Sequence, residues 1–194
     1  MNTTQDPSQV PQAATTRDGF DVLDACHRQT VFTLGKLAAL ITRLATYGAD
    51  AQARALAAEI VAHFSVTVRQ HHEDEERHVF PKLATSSDPQ IVQAVLRLQQ
   101  DHDWLEEDWM ELSPHIEAVA GGQIGYDLDV LREGAAVFTA LSHDHIALEE
   151  LVIYPQARAR LHSGENTEMG REMAARRRAA RAEALVPAEP TSPA

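Results

Sequence analysis

The chain has few of the features that mark disulfide-bonded, membrane-spanning or nucleic-acid-binding proteins. Cys26 is its one cysteine among 194 residues, so no intramolecular disulfide can form. No apolar run approaches the roughly 18 residues that a membrane span needs, and the N-terminus lacks the apolar core of a secretory leader. With 29 acidic and 17 basic residues, the net charge of −12 argues against general binding to a polyanion. We therefore expect a soluble, cytoplasmic protein without a membrane or nucleic-acid partner.

Four long segments carry apolar residues at helical spacing, and no stretch shows the alternation of a half-buried strand. We predict helices over about residues 18–47, 50–81, 88–120 and 127–161. Only short links join these helices, which favours an antiparallel up-down-up-down four-helix bundle. The fold class is therefore predicted to be all-α.

The sequence on either side of the predicted bundle, residues 18–161, differs from it in composition. Residues 1–17 are rich in proline, glutamine and threonine and have little to bury, so we predict a disordered N-terminal tail. Residues 162–194 are predicted to hold a short extra helix near 168–185 and a second disordered tail. Arginines cluster in this C-terminal part, which indicates a solvated helix or a contact with a protein partner. They are Arg171, Arg176, Arg177, Arg178 and Arg181.

One stretch of titratable residues occurs twice. The segment "RQHHEDEERHVFPKL", residues 69–83, aligns without a gap with "HDHIALEELVIYPQA", residues 143–157. In both copies a glutamate follows a histidine by four residues, which places the two side chains on one face of a helix. The matched pairs are His71 with His145, Glu75 with Glu149, Glu76 with Glu150, Phe80 with Tyr154 and Pro81 with Pro155.

Each predicted helix has one histidine on its apolar stripe, and the four lie at similar heights in an antiparallel bundle. They are His27, His71, His102 and His145. Burying four imidazoles among leucines without partners would cost several kcal/mol, and a bound metal removes that cost. Together with Glu75 and Glu149 they supply enough ligands for two ions bridged by carboxylates. Such a set suits iron, although ligand type alone leaves zinc and manganese open.

The first-helix His27, the second-helix "HHEDEERHVFP", the third-helix "DHDWLEE" and the fourth-helix "HIALEELVIYP" resemble the hemerythrin-like, or HHE cation-binding, domains over about residues 18–161. The resemblance implies a non-heme di-iron centre, bridged by an oxo or hydroxo group and two carboxylates, with an open position for dioxygen. The ligands it implies by position are His27, His71, Glu75, His102, His145 and Glu149, with Glu75 and Glu149 as the bridges.

Two positions depart from the family pattern. Oxygen-carrying hemerythrins have a second histidine four residues after the first on helix 3, where this chain has Glu106. His72 is the preferred seventh ligand, because bacterial relatives often carry a histidine pair there, and Glu106 is the alternative. Hemerythrins also place the helix-4 carboxylate five residues after its histidine, at Glu150. We prefer Glu149, since it lies about 40° from His145 around the helix, whereas Glu150 lies about 140° away.

The resemblance favours a protein that binds dioxygen, or that senses O2 or NO, at a di-iron centre. The alternatives are a di-iron redox enzyme that acts on peroxide or nitric oxide, and an iron-handling protein. A ferritin-like oxidase would need two Glu-x-x-His motifs. Glu75 and His78 form one such motif, but Val152 takes the place of the second histidine after Glu149.

Overall fold

The computed structural model describes residues 18–184, so both predicted disordered tails lie outside the described residues. Within this range every regular element is helical, which confirms the all-α prediction, and no helix there has the length and hydropathy needed to cross a membrane. The α-helices are α1 Gly19–Tyr47, α2 Ala51–Ala62, α3 Arg69–His78, α4 Phe80–Leu83, α5 Pro89–Ala120, α6 Leu128–Leu148, α7 Tyr154–Arg160 and α8 Ser163–Ala184.

Aspartate side chains fix the start of the long helices. Each accepts a hydrogen bond from a backbone N–H in the first turn, which satisfies a group that has no partner inside the helix. The capping residues are Asp18 before α1, Asp50 before α2, Asp88 before α5 and Asp127 before α6. At the other end of α1, Gly48 has a φ of 69°, a left-handed conformation that glycine adopts without steric cost.

The long helices pack in a ring in which α1 contacts α2 and α6, and α5 contacts the same two helices. Two separate apolar clusters fill this ring. Core A contains Leu34, Leu37, Leu40, Leu44, Ala53, Ala57, Ile60, Phe64, Leu105, Trp109, Leu112, Ile116, Val119, Leu131, Ala135 and Phe138. Core B contains Phe20, Leu23, Val79, Phe80, Leu83, Ile91, Val95, Leu98, Ile153, Tyr154, Ala157, Met169 and Met173.

A layer of buried polar residues separates the two cores. On α5, for example, Leu98 belongs to core B, His102 is buried and polar, and Leu105 belongs to core A. The order of the two cores along the chain reverses from each long helix to the next. The predicted site residues therefore fall in the middle of the ring, between two apolar ends that hold it together.

Two π-helical segments adjoin the polar layer. His63–Val68 joins α2 to α3, and Glu149–Ile153 joins α6 to α7. A π turn takes up an extra residue and changes which side chains share a helix face, and such turns are frequent at functional sites. Apolar spacing predicted uninterrupted helices here, and it also placed the end of the second helix at Pro81, two residues before α4 ends at Leu83.

The C-terminal helix α8 is longer and more deeply packed than predicted. It has 22 residues and contacts α1 and α3, with Met169 and Met173 buried in core B. Asn166 Oδ1 accepts hydrogen bonds from the backbone N–H groups of Gly19 and Phe20. A Cβ at Gly19 would lie 2.4 Å from Met169 Cγ, so the glycine permits this close approach. The helix predicted near 168–185 thus begins earlier, and one of its faces is buried against the bundle.

Candidate metal centre

All seven predicted ligands converge in two groups within the polar layer. In each group, one nitrogen or oxygen atom per residue lies within 4.8 Å of those of the other members. The first group is His72, Glu75, His102 and His145, and the second is His27, His71, Glu75 and Glu149. Glu75 belongs to both, so the two groups share a carboxylate.

The two carboxylates lie between histidines from different helices. Glu149 Oε2 is 3.0 Å from His27 Nε2, and its Oε1 is 3.2 Å from His145 Nε2. Glu75 Oε2 is 3.4 Å from His71 Nε2 and 3.5 Å from His102 Nε2. Each carboxylate thus faces one histidine of the first group and one of the second. A ligand that bridges two metal ions requires this arrangement.

Several of these buried atoms lie close to one another but make no hydrogen bond within residues 18–184. They are His102 Nε2, His145 Nε2, Glu75 Oε2 and both carboxylate oxygens of Glu149. Buried polar atoms without partners are destabilising and call for an explanation such as an ion. His27 Nε2 and His71 Nε2 also point at each other across 3.0 Å. A cation among these nitrogen and oxygen atoms would give each of them a partner, so the residues fit a metal.

The structure brings His72 into the first group and keeps Glu106 out of both. The His72 ring stacks on that of His102, with centroids 3.9 Å apart and planes at 12°. Glu106 instead accepts hydrogen bonds from the Arg69 guanidinium, with Nε to Oε2 at 2.9 Å. Its side chain is 37% exposed. Of the two candidates for a seventh ligand, His72 lies close enough to the other members of a group to share a metal ion, and Glu106 does not.

Carboxylates outside the two groups contact the outer nitrogens of two histidines. Glu76 Oε1 is 2.9 Å from His102 Nδ1, and Glu150 Oε1 is 3.1 Å from His27 Nδ1. A hydrogen bond from Nδ1–H leaves the lone pair of Nε2 free to point inward, as in metal sites. Glu150 therefore lies behind a candidate ligand rather than among the ligands, and it holds the same relation to His27 as its repeat partner Glu76 holds to His102.

We expect Glu76→Ala and Glu150→Ala each to weaken metal binding by about 10–100-fold, because the facing imidazole loses the acceptor that fixes its orientation. Metal titration of the purified variants measures the effect. Both carboxylates are about half exposed, so folding should be preserved. An affinity equal to that of the wild type in both variants would contradict the orienting role.

A third outer carboxylate, Asp101, was not predicted. It is 1% exposed, and its Oδ2 lies 3.9 Å from His145 Nδ1. Its position next to His102 in "DHDWLEE" was the signal in the sequence, but an acidic residue beside a histidine is more often solvated. Which of the surrounding carboxylates turns inward depends on the rotation of α5 against α6.

Protonation in the metal-free protein places positive charge where a cation would bind. Burial acts against a charge on His145, but Glu149 outweighs it and raises the pKa of His145 to about 10. Burial also opposes ionisation of Glu149, yet His145 holds the pKa of this carboxyl well below its usual range. For Glu75, burial and then the charge on Glu149 raise the pKa to about 7. A cation must displace these protons, so its affinity rises with pH.

Tyr154 contacts both a candidate bridging carboxylate and a candidate ligand histidine. Its hydroxyl donates a hydrogen bond to Glu75 Oε1 at 2.5 Å, and its ring stacks on that of His27 at 5.2 Å between centroids. Burial raises the pKa of Tyr154 well above the usual range, which keeps the hydroxyl a donor. Its repeat partner Phe80 stacks on His102 at 5.4 Å but has no hydroxyl.

A small cavity of about 30 Å³ lies on the core A side of the two groups. Apolar side chains form its floor, namely Phe64, Leu105, Trp109, Phe138 and Ile146. His27, His71, His72 and His145 face it from the metal-binding layer. A volume of this size holds one or two waters or a diatomic molecule. The cavity therefore provides space for a small ligand beside the candidate ions.

His63 does not belong to either group. Its Nε2 lies 3.0 Å from Oγ1 of Thr30, whose side chain lines the cavity. Burial, and to a smaller extent the charge of Lys36, lowers the pKa of His63 to about 4. His78 also lies outside both groups, with its Nε2 2.6 Å from Glu172 Oε2 of α8.

We expect His63 to make the metal-free protein less stable as the pH falls from 6.5 towards its folded-state pKa of about 4. Between these values the unfolded chain binds the proton that the folded protein excludes, so acidification favours unfolding by about 2 kcal/mol after allowance for partial solvation. Urea unfolding at several pH values should show a smaller loss for His63→Gln. Exposed His143→Gln is the control, and equal losses in all three proteins would contradict the prediction.

Comparison with known proteins agrees with this geometry. Residues 18–157 match the family model described as the hemerythrin HHE cation binding domain. A protein of Haemophilus influenzae (strain ATCC 51907 / DSM 11121 / KW20 / Rd), named only as an uncharacterized protein, is 30% identical over 166 residues, which cover 86% of this chain and 94% of the relative. The family match includes all seven residues of the two groups. The chain belongs to the hemerythrin HHE cation-binding family.

Proposed function

We propose that the protein is a non-heme di-iron protein that binds dioxygen, or senses O2 or NO, in the cavity beside the polar layer. The observation that carries the proposal is the pair of ligand groups that share Glu75 and open onto this cavity. The proposed ligands are His27, His71, His72, Glu75, His102, His145 and Glu149, with the two glutamates as bridges.

The arrangement of charges supports two ions rather than one. Glu75 and Glu149 each face one histidine of the first group and one of the second, so a cation in each group would offset the repulsion between the two carboxylates. The reversal of cores A and B from each long helix to the next supports the up-down-up-down order that brings these histidines to one height. Five imidazoles with two carboxylates suit iron.

The chain's own residues favour a binding site over an open reactive centre. Bound iron would supply reversible electron donation to a diatomic ligand. Phe64, Leu105, Trp109 and Phe138 make the facing side of the cavity apolar and restrict water there. Exclusion of water protects a metal centre against irreversible oxidation.

A redox reaction with peroxide is the second candidate, and Tyr154 favours it. A buried tyrosine hydroxyl that donates to a bridging carboxylate could deliver a proton to the centre. The same hydrogen bond would also serve a binding protein by fixing the position of Glu75. A binding protein returns to its starting state when oxygen is removed. A redox enzyme consumes the peroxide that is added.

Iron content per chain and the optical spectrum during oxygen cycling test the proposal. The protein is purified without oxygen, exposed to it, and returned to anaerobic conditions. We expect two irons per chain and a charge-transfer band that appears with oxygen and disappears on its removal. Irreversible oxidation with rapid consumption of added peroxide would support the redox enzyme instead, and absence of bound metal would overturn both candidates.

A further inference from the structure

We propose that the ion pair between Arg69 and Glu106 covers the access route from solvent to the cavity, so that its opening sets the rate at which small ligands reach the metal centre. The inference builds on the proposed function, because it concerns access to that centre. It assigns to Glu106 a role other than the ligation that its position in the sequence suggested.

The first observation is where the cavity meets solvent. Most of its lining is buried, and its partly or fully exposed residues occupy one corner. They are Val68, Arg69, His72 and Glu106. The Arg69 and Glu106 side chains are 50% and 37% exposed, more than the apolar floor of the cavity. Arg69 and Glu106 are therefore the charged side chains at the cavity's exposed corner.

The second observation is the geometry of the pair. Arg69 Nε lies 2.9 Å from Glu106 Oε2, and Arg69 Nη2 contacts Glu106 Oε1, so the guanidinium and carboxylate meet side by side. The pair thus joins the start of α3 to the middle of α5 across the exposed corner. Planar, two-point pairs of this kind have a defined orientation and cover the space between them.

The third observation is that such a cover can open. Exposed ion pairs contribute little stability because water screens the charges and the long side chains lose conformational freedom. Side chains of exposed residues change rotamer within nanoseconds. The pair should therefore break and re-form much faster than the helices separate, and ligand exchange needs no movement of the backbone.

The test is the rate of azide binding to the iron-loaded full chain, followed by its charge-transfer band in stopped flow. If the pair is a gate, Arg69→Ala and Glu106→Ala both raise the association and dissociation rates by about two- to fivefold, and the dissociation constant stays unchanged. Glu107→Ala removes an exposed charge next to Glu106 and serves as the matched control. The exchanged pair, Arg69→Glu with Glu106→Arg, should return the rates towards the wild type.

The charge of azide separates gating from electrostatic steering. Loss of Arg69 would slow, and loss of Glu106 would accelerate, the approach of an anion if charge alone mattered. Opposite changes in the two variants, or no change in either, would overturn the gate while leaving the metal centre intact. Failure to bind iron would instead overturn the proposed function, and the gate with it.

A second readout does not depend on the metal. The chain has two tryptophans, of which Trp109 lines the cavity and Trp104 is 50% exposed. In a Trp104→Phe background, dioxygen quenching of Trp109 fluorescence reports how often a small apolar molecule reaches the cavity. We expect the quenching constant to rise when Arg69 or Glu106 is replaced with alanine. An unchanged constant would count against the gate even if azide binding changed.

Discussion

Replacing Glu75 with glutamine is expected to abolish the binding of both metal ions. Glu75 is the residue that the two ligand groups share, and its Oε2 faces both His71 and His102. A neutral amide is a much poorer ligand than a carboxylate, so we expect affinity to fall by more than about 100-fold at both positions. Elemental analysis of the purified variant and calorimetric metal titration measure this loss.

The same variant should lose its stabilisation by metal. A ligand present at 100 times its dissociation constant stabilises a folded protein by about 2.7 kcal/mol, and without binding this increment disappears. Glutamine keeps the size of the side chain and an oxygen that can accept from Tyr154, so the metal-free fold should survive. The exposed Glu107→Ala is the control and should retain both ions. Loss of a single ion in Glu75→Gln would show that Glu75 serves one group alone.

The second large effect is expected where α8 meets α3. Asp74 is buried, and its carboxylate accepts hydrogen bonds from Arg176 and Arg177, the latter at 2.5 Å. Replacing both arginines with alanine leaves this carboxylate buried without a cationic partner. We expect a loss of about 3 kcal/mol in the free energy of unfolding. Urea or thermal unfolding of the metal-free protein measures it.

Asp74, the partner of both arginines, provides a control within the same contact. Adding Asp74→Asn to the double arginine variant removes the buried charge and should recover much of the lost stability. Arg178 and Arg181 are exposed on the same helix, so replacing both with alanine should change stability by less than about 0.5 kcal/mol. If both double variants lose the same amount of stability, the contact with Asp74 is not what holds α8 in place.

The helices and the inward-facing histidines could be predicted because their signals are local. Apolar spacing located α1 and α5, and the spacing of His71 to Glu75 and of His145 to Glu149 fixed a common face. Apolar spacing also predicts that Val31 lies on the buried stripe of α1, and that prediction is wrong. Val31 is 43% exposed, whereas Thr30 is buried against His63. A threonine that faces a buried histidine cannot be distinguished from a surface threonine by composition.

The rest depended on contacts between distant residues. Nothing in the apolar spacing marks the π segment at Glu149–Ile153, where Glu149 meets His27 of another helix. The inward turn of Asp101 and the pairing of Glu106 with Arg69 depend on how α5 packs against its neighbours. Arginine clustering in α8 suggested solvation, because the buried Asp74 that binds two of them lies about a hundred residues earlier in the chain.

The docking of α8 on α1 also bears on the order of folding. The hydrogen bond from Gly19 N to Asn166 Oδ1 joins positions 147 residues apart in the sequence. Closing so long a loop has a higher entropic cost than forming the contacts between consecutive helices, so α8 should dock late and detach first. Native-state hydrogen exchange should then find a sub-global opening of α8 below the global unfolding free energy. Each such opening uncovers the Phe20 and Tyr154 end of core B, so water would then reach the polar layer from the side opposite the cavity.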